Sequence, residues 1–299
     1  MLVLVTGGAG FLGSHLVDSL LERGDEVIVF DDLSRGSESQ VGNGAIFVEG
    51  DVRSLDDWDR VFANHSPEVI HHLAAVNGTR RFHKEADLVV DVNVNGTRNA
   101  LMYAKKHQCR LVFYSSPESF GEQELMPLSN DSVSLFPPAH LHQRHSYGAS
   151  KHIGEILCQF EVRNGLDVRI ARPCNVYGPR LHSDENGQVV SMMMAATPIV
   201  VHGDGMQTRS LTWVGDVIEG LLTLNDMDGL DGMAFNLGST VEVTMLDLAK
   251  VISNLRGVEI VHSEPNHGDS KRRLPDVSMN ETISWEATTS LRDGLNQLL

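Results

Sequence analysis

The sequence predicts an α/β protein: a doubly wound parallel sheet of the Rossmann type, with a smaller C-terminal substrate-binding lobe. Three observations carry this expectation. The chain opens on a short apolar run, Leu2 to Val5, followed at once by glycines at 7, 8, 10 and 13 and then by an apolar helix face of Leu12, Leu16 and Leu20. Strand-like and helix-like stretches then alternate as far as Pro173 and weaken beyond it. At 299 residues the chain has room for one large domain, 1–173, and a smaller lobe, 174–299, some of whose strands and helices return to the first part.

The opening strand, glycine turn and helix give a glycine motif its meaning. One glycine makes the tight reversal, one lets the backbone approach a pyrophosphate, and one lets helix and strand pack closely. The unpaired N–H groups and positive dipole end of the helix then hold phosphates. Gly7, Gly10, Phe11, Leu12 and Gly13 are therefore cofactor-binding candidates, and Gly24 closes the helix as a C-terminal cap.

The next strand, Glu26 to Phe30, ends in Asp31-Asp32. An acid about 20 residues beyond the turn accepts the ribose hydroxyls of an adenosine and repels a 2′-phosphate. Asp31 thus favours NAD over NADP; Arg35 argues mildly the other way and is expected to face solvent. A third strand, Ala45 to Val48, leads to Gly50-Asp51-Val52, where an acid can reach the adenine amino group. A helix over Ser54 to Asn64 precedes the strand Val69 to Ala75, whose end (Leu73, Ala74, Ala75) includes the small residues a cofactor passing over it requires. A long helix from about Lys84 to His107 carries Asn93, with Leu88, Val89 and Val92 forming an apolar face for the core or for a dimer partner. Strand Arg110 to Tyr114 delivers Ser115 and Ser116 to the carboxyl edge of the sheet, where open α/β sheets bind ligands. Residues 121–145 are irregular, broken by Pro127, Pro137 and Pro138. A helix follows from Tyr147 to about Asn164, then a strand from Asp167 to Arg172. Short strands over 198–202 and 209–214 and helices over 216–226 and 244–255 complete the pattern.

Composition narrows the function. Apolar residues make up 41% of the chain, enough for a substantial core, and no run approaches the roughly 18 unbroken apolar residues of a membrane helix. The first strand begins at residue 2, leaving no room for a signal peptide, and Cys109, Cys158 and Cys174 lack both an even count and metal spacing. A cytoplasmic location is expected. A net charge of −16 disfavours nucleic acid as a partner and requires a local basic pocket for any anionic substrate. His140, His142 and His145 lack a partnering acid pattern, so no metal is expected. Met192, Met193 and Met194 read as helix core or pocket wall. Arg80-Arg81 reads as a solvated turn that is also able to approach substrate.

Tyr147 and Lys151 stand four apart, on one helix face. A phenol with a pKa of about 10 is a poor base, and a cation one turn away lowers that value. The same lysine can hold a nicotinamide ribose, and Ser116 can share a proton with the tyrosine and a substrate hydroxyl.

Gly7-x-x-Gly10-x-x-Gly13, Asp31, Asp51, His72-Leu73-Ala74-Ala75, Asn93, Ser116, Tyr147 with Lys151, and Arg172-Pro173-x-Asn175-x-Tyr177-Gly178-Pro179 together resemble the extended short-chain dehydrogenase/reductases. These are the NAD-dependent nucleotide-sugar epimerases, dehydratases and decarboxylases. The resemblance covers nearly the whole chain and implies a tightly held NAD, a UDP-sugar substrate and a transient 4-keto sugar. Within the family, Ser116-Pro117-Glu118, Arg144 three residues before Tyr147, Gly178-Pro-Arg-Leu-His182, Gln188-Val189-Val190-Ser191, Gln207-Thr208-Arg209 and Lys271-Arg272-Arg273-Leu274-Pro275-Asp276 look like the UDP-glucuronate decarboxylases. That likeness implies catalytic roles for Ser116, Glu118, Tyr147, Lys151 and Arg273, and substrate contacts from Arg144, Asn175, Val190, Arg209 and Arg273. It places Asp51, Val52, Leu73, Ala75 and Asn93 around the cofactor. Pro117, Phe120, Cys174 and the Ala139-to-Gln143 loop depart from the pattern. The expected activity is decarboxylation of UDP-glucuronate to UDP-xylose or a 4-keto pentose nucleotide, by a homodimer. A UDP-sugar or UDP-uronate 4-epimerase is the alternative, and a non-catalytic NAD sensor is a third reading that intact Ser116, Tyr147 and Lys151 disfavour.

Overall fold

The computed structural model describes residues 1–141, 145–184, 187–265 and 272–299. In chain order its elements are β1 (Leu2–Thr6), α1 (Phe11–Glu22), β2 (Glu26–Asp31), β3 (Ile46–Glu49), α2 (Leu55–Asn64), β4 (Val69–His72), α3 (Thr79–Lys84), α4 (Ala86–Val90), α5 (Gly96–His107), β5 (Arg110–Tyr114), α6 (Ser146–Arg163) and β6 (Val168–Pro173). The C-terminal part adds β7 (Val176–Tyr177), α7 (Val189–Ala195), β8 (Ile199–His202), β9 (Thr208–Ser210), β10 (Thr212–Trp213), α8 (Val214–Asp226), β11 (Ala234–Leu237), β12 (Glu242–Thr244), α9 (Met245–Arg256), β13 (Ile260–Ser263), β14 (Arg272–Arg273) and α10 (Leu291–Asn296).

Seven parallel strands form the central sheet in the order β11-β6-β5-β4-β1-β2-β3. The order reverses between β1 and β4, and the crevice outside the carboxyl ends at such a switch point is where this architecture binds ligands. Side chains alternate across a strand, and here both faces are apolar. Val3 and Val5 pack with Leu16, Val17 and Leu20 of α1, whereas Leu4 joins Ile28, Phe30, Ile70 and Leu111 on the other face. That is why these strands read as continuous apolar runs rather than alternating ones. The α1-side core continues without a break into Trp213, Leu221, Leu224, Phe235, Met245 and Leu248. The C-terminal elements are thus packed onto the sheet, and β11, too short to stand out in the sequence, is its seventh strand.

The long helix expected over 84–107 is broken. After α4, residues Asp91–Asn95 form one π turn before α5 begins. Such a turn inserts one residue into the ladder and is common at functional sites. It turns Asn93 inward, where its Oδ1 accepts from the Val76 N–H at 2.8 Å and its Nδ2 donates to Ser150 Oγ at 3.0 Å.

Candidate active site

A cleft of about 1230 Å³ runs along the carboxyl edge of the sheet, from the glycine turn to the C-terminal elements. Among the described residues, seven lysines and arginines line it against three acids, Asp31, Asp32 and Glu118, although the whole chain carries a charge of −16. Four of the seven, Arg35, Arg53, Arg81 and Arg273, are paired with carboxylates, so the cleft offers an anionic ligand a smaller excess of positive charge than the count alone.

At the first end, the Gly7 N–H donates to the Phe30 carbonyl at 2.9 Å, with φ of +70° at Gly7. A Cβ on Gly13 would lie 2.2 Å from the Gly7 carbonyl oxygen, so α1 can start this close to β1 only with glycine there. The N–H groups at the start of α1 consequently open onto the cleft, beside Phe11 and Leu12. Asp31 is buried, and its carboxylate is fixed by the Ala9 N–H at 3.0 Å and the Leu33 N–H at 2.9 Å. Burial raises its pKa, helped by the Asp32 charge, while those two amides oppose the rise. A glycine cradle with a fixed acid at the end of β2 fits the adenosine diphosphate half of NAD; when bound, NAD supplies a reversible hydride acceptor.

Val52, Leu73 and Ala75 line the same end. Asp51 is placed differently from the expectation. Arg53, two residues on, grips its carboxylate through Nε and Nη2 and also pairs with Asp91 at 2.8 Å; the cleft is lined by Gly50, Val52 and Arg53. Asn93, expected at the cofactor, ties Val76 to Ser150 beside Lys151, so it positions α6. Arg35 is a correction: it lines the cleft and meets Asp184 through both Nη atoms, at 2.6 and 2.8 Å, rather than facing solvent alone.

At the middle of the cleft, β5 ends in Ser115 and Ser116, and α6 presents Tyr147 and Lys151. Ser116 and Tyr147 line the cleft together, and the Ser116 hydroxyl accepts from the Glu118 N–H at 3.2 Å. Burial, and then the Glu118 charge, push the phenol pKa above its ordinary value, and the nearby Ser116 hydroxyl opposes them. Lys151 is buried, donates to the Tyr114 carbonyl at 2.7 Å and sits 5.8 Å from the centre of the Tyr147 ring. The expected tyrosine–lysine pair is therefore present, with Ser116 beside it in the cleft. Beneath them Glu155, one turn beyond Lys151, accepts from Ser115 and Ser119 and binds Arg172 bidentately at 2.7 Å, which locks the β5 end to α6 and β6.

Glu118 begins the opposite wall. A short 3-10 turn, Pro117–Phe120, carries it, and Arg273 of β14 donates to its Oε2 at 3.2 Å while donating to the Gly121 carbonyl at 2.7 Å. Arg273 is 5% exposed, and its Nε has no partner among the described residues. Arg209 pairs in register with Arg273 across β9 and β14, and Asn175 donates to the Ser210 carbonyl on the same strand at 3.0 Å. Both line the cleft, as does Val190 of α7. Arg144 and His142 lie outside the described residues.

Two contributors escaped the sequence reading. Phe82 of α3 stacks on Tyr147, with ring centroids 4.9 Å apart and planes 13° from parallel, shielding one face of the phenol; an aromatic in an otherwise polar run after β4 was the available signal. Asp184 has no local signal at all, because its partner Arg35 is 149 residues away in sequence.

The profile of the NAD dependent epimerase/dehydratase family matches residues 3–238. UDP-glucuronic acid decarboxylase 1 of Arabidopsis thaliana is 35% identical over 305 residues, covering 99% of this chain and 68% of that protein. UDP-glucose 4-epimerase of Thermotoga maritima, solved with UDP-glucose, has a TM-score of 0.92 at 30% identity, covering 99% of this chain and 97% of that one. UDP-glucose 4-epimerase of Thermus thermophilus, solved with NAD, has a TM-score of 0.89 at 28% identity, covering 99% and 97% of the two chains. The chain belongs to the NAD-dependent epimerase/dehydratase family. No helix among the described residues is long and apolar enough to cross a membrane.

Proposed function

We propose that this family member decarboxylates UDP-glucuronate to UDP-xylose or its 4-keto precursor. The observation that carries the reading is the Glu118–Arg273 pair, set beside Ser116 and Tyr147 in the same cleft. Tyr147, as phenolate, takes the proton of the C4 hydroxyl, with Ser116 sharing it, as C4 is oxidised to a ketone. That ketone is β to the C5 carboxylate. The C5–carboxylate bond breaks, CO2 leaves, and the electron pair flows into an enolate. Its negative charge needs fixed positive charge nearby, which the Arg273 guanidinium supplies. Glu118 manages the proton, or the water that carries it, to C5. Tyr147 returns its proton to the C4 oxygen when the ketone is reduced, so NAD is regenerated. Arg209 and Asn175 are assigned to the nucleotide diphosphate end, Val190 to its wall and Arg144, by family likeness, to the uronate carboxylate. Asp31 and the glycine turn hold NAD.

The 4-epimerase reading shares Ser116, Tyr147 and Lys151 and is favoured by the two solved neighbours; it predicts no loss of CO2. Incubation with UDP-glucuronate and the product's mass separate the two. We further assign the working unit as a homodimer, a reading that the exposed Ile153, Ile156 and Phe160 along one side of α6 support as a candidate contact face.

A pH dependence follows from Lys151. Its burial disfavours the ammonium and lowers the pKa from 10.5 to about 8. The protonated form is the one that supports a phenolate and holds a ribose hydroxyl. Turnover is therefore expected to fall as pH rises through about 8. A kcat–pH profile checks this; activity level up to the ordinary lysine value of 10.5 contradicts it.

A further inference from the structure

This chain carries both residues that decide between NAD and NADP in a doubly wound fold: an acid for the ribose hydroxyl and a nearby arginine able to take a 2′-phosphate. The structure shows how the second is restrained. Arg35 lines the cleft beside Asp31, Asp32 and Ser34, and its fork is occupied on both Nη atoms by Asp184, at 2.6 and 2.8 Å. Asp184 lies on the segment that leaves β7 and crosses the cofactor end of the cleft. That segment is fastened at three further points. His182 Nε2 donates to the Arg35 carbonyl at 3.0 Å, His15 Nε2 donates to the Pro179 carbonyl at 3.0 Å, and Arg180 pairs with Asp18 of α1 at 2.6 Å.

We infer that Asp184 is a second cofactor-specificity residue, which withholds the Arg35 guanidinium from the 2′-position and so excludes NADP. Selection for NAD then has two independent parts. Asp31 repels the 2′-phosphate from one side, its carboxylate held by two backbone amides. Asp184 removes the attraction that would hold the phosphate, since a guanidinium bound bidentately by a carboxylate cannot present the same fork to a phosphate. The pair is half-exposed, with side chains 33% and 46% accessible, so it contributes little to stability. Its consequence is geometric, and its loss leaves a folded protein. The inference rests on the dinucleotide site alone and stands whichever sugar nucleotide is processed.

The test uses the purified full chain, denatured to release its dinucleotide, with the NADP-to-NAD ratio read by mass spectrometry. Asp184→Asn removes the charge and frees Arg35. It should raise the ratio about tenfold or more, the factor one charge-assisted contact supplies. Arg35→Ala alone should leave the ratio at the wild-type value, and Arg35→Ala with Asp184→Asn should return it there, because the phosphate then has no guanidinium to meet. Asp184→Glu, which keeps the carboxylate, should also stay near wild type. The melting-temperature shift on adding NADP gives a second reading that needs no bound cofactor at purification, and it should be larger for Asp184→Asn than for the wild type. An unchanged ratio and shift in Asp184→Asn overturn the inference. Equal loss of both dinucleotides does so too, and so does a gain that survives in the double variant.

Discussion

Tyr147→Phe is expected to lower turnover of UDP-glucuronate about a thousandfold, within the range that a positioned general base contributes, with NAD content unchanged. Only one oxygen is removed, and Phe82 can stack on either ring, so the fold has no reason to change. The lost group is the phenol hydroxyl, whose pKa the nearby Ser116 hydroxyl lowers. In the isolated protein burial keeps that phenol protonated, and the neighbouring cation, Lys151, is turned to the Tyr114 carbonyl. With Lys151 so placed, the proposed base would gain from further positive charge in the cleft, which bound NAD would supply. The measurement is single-turnover product formation together with the dinucleotide released on denaturation. Retention of more than a few per cent of wild-type turnover would remove Tyr147 from the role of base.

The second large effect belongs to Glu118→Gln. The amide keeps the shape and can still accept from Arg273, which otherwise holds the carboxylate at 3.2 Å, but it can no longer accept and deliver a proton. Release of CO2 is expected to fall about a hundredfold or more. Oxidation at C4 relies on Ser116, Tyr147 and Lys151 and should continue, so NADH absorbance should build slowly instead of staying at its small steady level. Glu118→Ala should be more severe, because it also leaves the buried Arg273 guanidinium, whose Nε already lacks a partner among the described residues, without its carboxylate. If either variant loses NAD reduction and CO2 release in equal measure, Glu118 acts on the first step and its assignment to C5 is wrong.

The parts of the fold legible in the sequence were those fixed by local chemistry. The β1 turn, α1 and the Asp31 end of β2 lie within about thirty residues of one another, and each was marked by residue types that few other backbones require. Ser116, Tyr147 and Lys151 were legible because a strand end and a helix face are readable by period. Three things were not. The π turn that turns Asn93 inward depends on the fit of α4 and α5 against α6, and nothing in Asp91–Asn95 distinguishes it from a regular turn. Strand β11 is four residues long and gains its identity by pairing with β6. The partners Arg53 for Asp51 and Asp184 for Arg35 changed what two charged side chains do, one by a neighbour two residues away and one across the fold. Glu155, not singled out in the sequence, is joined to Ser115, Ser119 and Arg172 only in the structure.

The most direct test of the account follows the carboxyl carbon. The purified protein, with no added reductant, is given UDP-glucuronate labelled at C6, and both the headspace and the nucleotide pool are read by mass spectrometry. Decarboxylation places the label in CO2 and yields a pentose nucleotide that lacks it, formed by the wild type and not by Tyr147→Phe. A nucleotide that keeps the label and the substrate's mass, with C4 inverted, would contradict it and assign the cleft to epimerisation.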